Sequence, residues 1–325
     1  MLVIVAIAAA VVAASCQRDT TGDQREPPAI EPARAAGDSL APRAAPPPSV
    51  ELLSAGAQPR RELRYQLAEG ARERIVIELE MEMAMALGGA PSSPVKLPRM
   101  QMVLDLEVEE ALDDGARYRF ELSEARSLDS HGVDPTVLHA IEQGLSQTVG
   151  TRGRAVVDAR GFHRDTRIDI PDDAPAETRQ MIEATAQQME QLASPLPLEP
   201  VGEGARWEVT QHLEQNGISL VQTSVITLAS LDGDRGRIEA TIRQQAPEQL
   251  VEMPGAMAGA RAELIELRSR GDGTTEFDLT RLMPLRGEMR SESESRFQID
   301  VGSGEPQPMS MQMELAVTLE GLEGS

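Results

Sequence analysis

Residues 74–87 read RIVIELEMEMAMAL, a stretch in which apolar side chains occupy alternate positions. Because successive side chains of a strand point to opposite faces, this spacing predicts one long strand with a buried face and a solvated face. Clean alternation is typical of antiparallel sheets that expose one face to water. The apolar set is Ile75, Ile77, Leu79, Met81, Met83 and Met85, and glutamates stand between several of its members.

Three further segments, residues 100–108, 118–122 and 309–319, show the same alternation. Between the first two, Asp113-Asp114-Gly115 supplies the residues of a hairpin turn. We therefore predict a mainly β (α+β) fold built on a long, curved antiparallel sheet or half-barrel. The apolar positions are Met100, Met102, Leu104, Leu106 and Val108, then Tyr118, Phe120 and Leu122, then Met309, Met311, Met313, Leu315, Val317 and Leu319.

Two or three helices are expected to pack against this sheet, and two amphipathic stretches can be identified in the sequence. The first begins at Asp134-Pro135, a capping residue followed by proline at the first helical position. The second begins near Asp173 and ends before Pro195. Their apolar faces consist of Val137, Leu138, Ile141 and Leu145 in the first helix, and of Met181, Ile182, Met189 and Leu192 in the second.

A weak internal repeat suggests a duplication with halves at residues 60–195 and 196–325. The segment DDGARYRFEL (113–122) resembles LDGDRGRIEATI (231–242), and the hairpin pattern of residues 154–170 resembles that of residues 262–280. Asp232-Gly233-Asp234 and Asp272-Gly273 are interpreted as hairpin turns, because they lack the remaining oxygen ligands of a calcium loop.

The first sixteen residues predict export and lipid attachment. Residues 2–15 are uncharged and too short to span a bilayer, which is typical of a signal peptide at residues 1–15. The small residues before Cys16 resemble a bacterial lipobox, whose cysteine receives a diacylglyceryl group. We expect lipidated Cys16 to anchor the chain in the cell envelope, at the outer membrane facing the periplasm or the cell surface. The alternatives are cleavage without lipid and retention of the apolar segment as a membrane helix.

Residues 16–50 are predicted to form a disordered tether. Residues 17–50 contain seven prolines and almost no large apolar side chains, so this segment cannot bury enough surface to fold. A random coil of this length spans about 30–35 Å. Residues 51–325 form the predicted β-rich globular domain.

Composition excludes several classes of function. The net charge is −22, with 53 acidic and 31 basic residues and no basic run, so a nucleic-acid partner is not expected. One cysteine excludes an internal disulfide framework and a multi-thiolate zinc site. The four histidines, His131, His139, His163 and His212, lack metal-ligand spacing. We expect no catalytic residues, no metal and no cofactor.

Methionines supply the one candidate binding surface. Alternate-position methionines place their side chains on one strand face, where flexible thioethers suit an apolar ligand. The alternatives are an ordinary closed core and, more remotely, Cu(I) ligation by soft thioethers. The candidate residues for an apolar-ligand face are Met81, Met83, Met85, Met100, Met102, Met309, Met311 and Met313.

The lipobox, the tether, GTRGRAVVDARGF (150–162) and LPLEPVGEGARWEV (196–209) resemble a family of uncharacterised exported bacterial lipoproteins. The resemblance spans roughly residues 60–320 and brings no known activity. The expected architecture also resembles the half-barrels of periplasmic lipoprotein carriers, which hold acyl chains in an apolar concavity. The resemblance implies a non-catalytic binding module for an apolar ligand, such as a lipid, or for an envelope protein partner. The alternative is a structural or assembly component of the envelope without a small-molecule ligand.

Overall fold

The computed structural model describes residues 47–88, 90–91, 93–129, 132–170, 179, 186, 195–215, 217–252, 261–300 and 306–323. Within these ranges the chain forms one sheet and one complete helix. The elements are β1 (Ser49–Ser54), β2 (Arg72–Leu87), β3 (Ala90–Pro91), β4 (Val95–Lys96), β5 (Arg99–Leu112), β6 (Gly115–Asp129), α1 (Pro135–Thr148), β7 (Arg152–Val157), β8 (His163–Ile168), β9 (Arg206–Gln215), β10 (Ile218–Asp232), β11 (Arg235–Ala246), β12 (Gln249–Glu252), β13 (Arg261–Asp278), β14 (Arg286–Asp300) and β15 (Gln307–Glu323).

The sheet is an open antiparallel meander with the order β1-β9-β10-β11-β13-β14-β15-β2-β5-β6-β7-β8. The short strands β3 and β4 pair with β2, and β12 pairs with β13. The last strand, β15, pairs along its length with β2, from Met309 opposite Leu87 to Glu323 opposite Glu73. The two predicted halves therefore lie in one continuous sheet, joined at the β15–β2 pair.

One face of the sheet, called here the inner face, carries the core. Ile75, Ile77 and Leu79 on β2 are buried there, while the alternate residues of β2 face the opposite, outer side. Direct register carries the same face across the sheet, from Trp207 on β9 to Leu79 on β2. Burial of each large apolar side chain contributes about 1.5–3 kcal/mol, so these alternating residues stabilise the sheet.

The buried residues form three clusters on this face. The largest lies on β2, β5, β6 and β15 and includes Leu79 and Met102. A second surrounds Trp207, whose indole Nε1 donates a hydrogen bond to the Pro195 carbonyl at 3.2 Å. The third lies at the other ends of β13, β14 and β15, around Leu264 and Phe297. Trp207, at 1% exposed, thus anchors this part of the core.

Helix α1 confirms the first predicted helix. The Asp134 side chain accepts hydrogen bonds from the backbone amides of Thr136 and Val137, as an N-cap residue does. Ile141 and Leu145 are buried against the largest cluster, whereas Val137, expected on the same apolar face, is exposed. The second predicted helix lies outside the described residues, except that Arg179 and Ala186 are helical.

One hairpin prediction is wrong. Residues 262–280, read as a hairpin with a turn at Asp272-Gly273, belong almost entirely to the single strand β13. The strand continues because Gly271 and Gly273 pair directly with Ser291 and Met289 of β14, so glycines here fill ladder positions. Asp232-Gly233-Asp234, in contrast, does form the turn between β10 and β11. The predicted duplication stays a prediction, since a uniform meander gives both halves the same strand order.

Candidate functional site

The eight candidate methionines divide into two groups. Met81, Met100, Met102 and Met309 are buried within the apolar clusters, so they are core residues. Met83, Met311 and Met313 are half-buried, and Met85 is 44% exposed. The second group, Met83, Met85, Met311 and Met313, is called here the methionine patch.

Strand register assembles the methionine patch at the β2–β15 pair. Met83 lies directly opposite Met313, and Met85 lies directly opposite Met311. Directly opposite residues of an antiparallel pair have Cβ atoms about 4.5–5.5 Å apart, so each pair of side chains is in contact range. Four flexible thioethers therefore form one apolar surface on the face that is buried elsewhere.

A polar row runs from the methionine patch across the inner face. Met313 lies opposite Ser293, and the line continues through directly paired residues on β13, β11, β10 and β9. This line, called here the serine–glutamine row, consists of Ser293, Ser269, Gln244, Gln222 and Gln211. It separates the cluster around Trp207 from the cluster around Phe297.

The glutamines of the row form a directed ladder of hydrogen bonds. Gln244 Nε2 donates to Gln222 Oε1 at 2.8 Å, and Gln222 Nε2 donates to Gln211 Oε1 at 3.0 Å. Gln222 is 0% exposed, so these bonds satisfy amide groups that would be costly to bury alone. Gln244, at the end of the ladder, lies directly opposite Ser269 on β13.

The serine–glutamine row was not predicted from the sequence. On β14 the residues SESES (291–295) put Ser291, Ser293 and Ser295 on the inner face and two glutamates on the outer face. The sequence did contain a usable signal, because these serines continue the alternation of the buried Met289 and Phe297 on the same strand.

The outer face has different chemistry, because it is charged. On β2, β5, β6 and β7 arginines and carboxylates form ion pairs, such as Arg74 Nε with Asp105 Oδ1 at 2.6 Å and Arg154 Nε with Glu109 Oε2 at 3.1 Å. Hydrogen bonding by Arg74 lowers the pKa of Asp105. A groove of about 690 Å³ lies over these strands and is lined by both signs of charge. In the described ion pairs, arginines and carboxylates of the outer face neutralise one another. This arrangement is typical of a solvated surface.

Two shallower grooves, of about 400 and 490 Å³, lie on the outer face over β11 to β15 and β2. Their charged lining includes a direct register row of Glu292, Glu314 and Glu82, flanked by Arg270 and Lys96. Within the described ranges, no three His, Cys, Asp or Glu side chains are arranged to hold a metal ion.

The buried titratable groups serve the fold. The Tyr118 hydroxyl lies 3.1 Å from His163 Nδ1, and burial lowers the pKa of His163 to about 4. Burial, with Glu73 nearby, raises the pKa of Tyr65 to about 12. The Glu73 carboxylate accepts hydrogen bonds from the backbone amides of Leu282 and Met283, which fixes the β13–β14 connection to β2. His212 is exposed on the outer face.

Several predicted features lie outside the described residues. Cys16, the signal peptide and nearly all of the tether are among them, as is His131. In the part of the chain that the structure covers, no helix is both long enough and apolar enough to cross a membrane.

Comparisons with known proteins give only distant similarity. No family model and no curated protein matches the chain. OpdQ of Pseudomonas aeruginosa aligns at 8% identity and a TM-score of 0.22, over 78% of this chain and 97% of that chain. The COG4313 outer membrane channel from Pseudomonas putida F1 aligns at 6% identity and a TM-score of 0.23, over 79% and 97%. OccK11 (OpdR) of Pseudomonas aeruginosa aligns at 8% identity and a TM-score of 0.24, over 80% and 100%. Scores of this size establish no shared function.

Proposed function

We propose that this chain is a lipid-anchored protein of the bacterial cell envelope that binds acyl chains on the methionine patch. The observation that carries the proposal is the partial exposure of four methionines in direct cross-strand register. They lie on the inner face, where neighbouring apolar residues such as Leu315 and Met309 are buried. A contiguous apolar surface left in contact with water favours a binding role.

The chemistry of the methionine patch suits a flexible ligand. Methionine has three rotatable bonds and a polarizable sulfur, so it adapts to an acyl chain that has no fixed shape. Each CH₂ group removed from water contributes about 0.8 kcal/mol, which allows a long chain to bind without any charged contact.

The proposed anchor explains where such a ligand would come from. Lipidated Cys16 would hold the chain at a membrane, and the tether of about 30–35 Å would keep the sheet within reach of the bilayer surface. The protein would then take acyl lipids from that membrane or sense their presence there, and it would act as a non-catalytic binding module.

Displacement of a fluorescent probe tests this function. The full chain is titrated with N-phenyl-1-naphthylamine, and the probe is displaced with monooleoylglycerol. The variant Met83→Gln/Met313→Gln places two amides in the methionine patch and should weaken probe binding at least tenfold. Ala84→Gln, which adds the same amide on the outer face of β2, is the matched control and should leave binding unchanged.

Two outcomes would reject the proposal. Wild-type protein that binds neither probe nor monooleoylglycerol would show that the methionine patch is covered or closed. Equal binding by the wild type and the double variant would place the apolar site elsewhere. Either result would favour the alternative role, a structural or assembly component of the envelope that uses the charged outer face.

A further inference from the structure

The inner face is uncharged over a wide area beside the methionine patch. Three adjacent register rows cross β2, β15, β14, β13 and β11. The middle row runs from Met83 to Gln244, and rows from Met81 to Ile242 and from Met85 to Ala246 flank it. These rows consist of Met81, Leu315, Ser291, Gly271 and Ile242, of Met83, Met313, Ser293, Ser269 and Gln244, and of Met85, Met311, Ser295, Leu267 and Ala246.

The polar groups of this area are uncharged. Ser295 is 3% exposed, and Ser269, Ser291 and Ser293 are half-buried on the same face. Each serine hydroxyl can both donate and accept a hydrogen bond. A ligand that donates and accepts hydrogen bonds here would therefore find partners of both kinds.

The apolar and polar parts of the area meet at one point. Met313 is directly opposite Ser293, and Ser269 is one strand further on. Strands are about 4.8 Å apart, so Met83 and Ser269 are separated by about 14 Å. A molecule with a chain on the methionine patch would therefore place its head group over the serines of β14 and β13.

We propose that the ligand is a single-chain amphiphile with an uncharged, hydroxyl- or amide-bearing head group. This inference rests on the proposed function and adds the class of head group. A carboxylate or phosphate at this position would lose its hydration without meeting a cation, because the three rows contain no charged side chain. Serine hydroxyls and the Gln244 amide offer neutral donors and acceptors instead.

The test compares two ligands that share a chain and differ in the head. Monooleoylglycerol carries two hydroxyl groups, and oleate carries a carboxylate that is charged at pH 9. Displacement of N-phenyl-1-naphthylamine from the full chain should show at least tenfold tighter binding of monooleoylglycerol. Ser269→Ala/Ser293→Ala should reduce this preference to below threefold, while Ser310→Ala, on the outer face of β15, should preserve it.

The possible failures are distinguishable. If neither ligand displaces the probe, the proposed function fails and this inference fails with it. If both ligands bind with equal affinity, or oleate binds more tightly, acyl binding stands and the uncharged head group is rejected. An unchanged preference for monooleoylglycerol in the Ser269→Ala/Ser293→Ala variant would also reject the uncharged head group. The serines would then not be the groups that contact the head group.

Discussion

Met313 on the last strand lies directly opposite Met83 on the first long strand, so the methionine patch forms where the two halves of the sheet join. This position depends on a pairing between residues that are far apart in the sequence. The methionine patch therefore exists only once β2 and β15 have paired.

Truncation of a core residue should lower the free energy of unfolding more than truncation of a residue in the methionine patch. Leu79→Ala removes a side chain that is 0% exposed and should lower the free energy of unfolding by about 3 kcal/mol. Met83→Ala removes a half-buried side chain and should cost about 1 kcal/mol. Urea denaturation followed by circular dichroism measures both. Equal losses would mean that Met83 belongs to the closed core.

Substitution of Gln222, at the centre of the glutamine ladder, should destabilise the protein. Gln222→Met leaves the Nε2 group of Gln244 without its Gln222 acceptor. The substitution should therefore lower the free energy of unfolding by about 1–3 kcal/mol. Adding Gln244→Met removes the stranded donor, and the double variant should then lose less than the sum of the two single losses. Strict additivity in a double-mutant cycle would show that the two amides are not coupled.

His163 should make the protein less stable in mild acid. Burial lowers the pKa of His163 to about 4 in the folded state, whereas an unfolded histidine titrates near 6.5. Between pH 6.5 and 4 the unfolded chain therefore binds a proton that the folded chain does not, and the free energy of unfolding falls as the pH falls.

His163→Phe tests this pH dependence through urea midpoints at pH 7 and pH 4.5. The variant should be less stable at pH 7, because Tyr118 loses its partner, but its further loss on acidification should be smaller than in the wild type. His212→Gln, an exposed position, should retain the wild-type profile. An unchanged acid loss in His163→Phe would assign the effect to other groups.

The anchor can be tested independently of the binding site. Cys16→Ser removes the thiol that lipid attachment requires, and it should move the protein from the membrane fraction to the soluble fraction after export. Metabolic labelling with palmitate should mark the wild type alone. Membrane retention of the Cys16→Ser protein would reject lipidation at this residue.

Strand identity was accessible from the sequence because burial on one face imposes a period of two. The alternation at Ile75–Met85 and Met309–Leu319 corresponds to β2 and β15, and Asp134-Pro135 corresponds to the start of α1. These signals are local. Each needs only the preference of neighbouring side chains for water or for the interior.

Register and degree of burial were not accessible, because both depend on distant partners. Met81 and Met83 have the same local pattern, but Met81 packs in the largest cluster while Met83 is half-buried. The serine–glutamine row was missed for the same reason. Ser293 and Gln244 are separated by 49 positions in the sequence and meet only through β13.

Photo-crosslinking locates a bound acyl chain and so tests whether it lies on the methionine patch. A monooleoylglycerol analogue with a diazirine in its chain is bound to the full protein and irradiated, and the labelled peptides are mapped by mass spectrometry. We expect labels to concentrate on residues 83–85 and 311–313 and to decrease in the Met83→Gln/Met313→Gln variant. Labels on the outer face, or equal labelling of the wild type and the double variant, would contradict it.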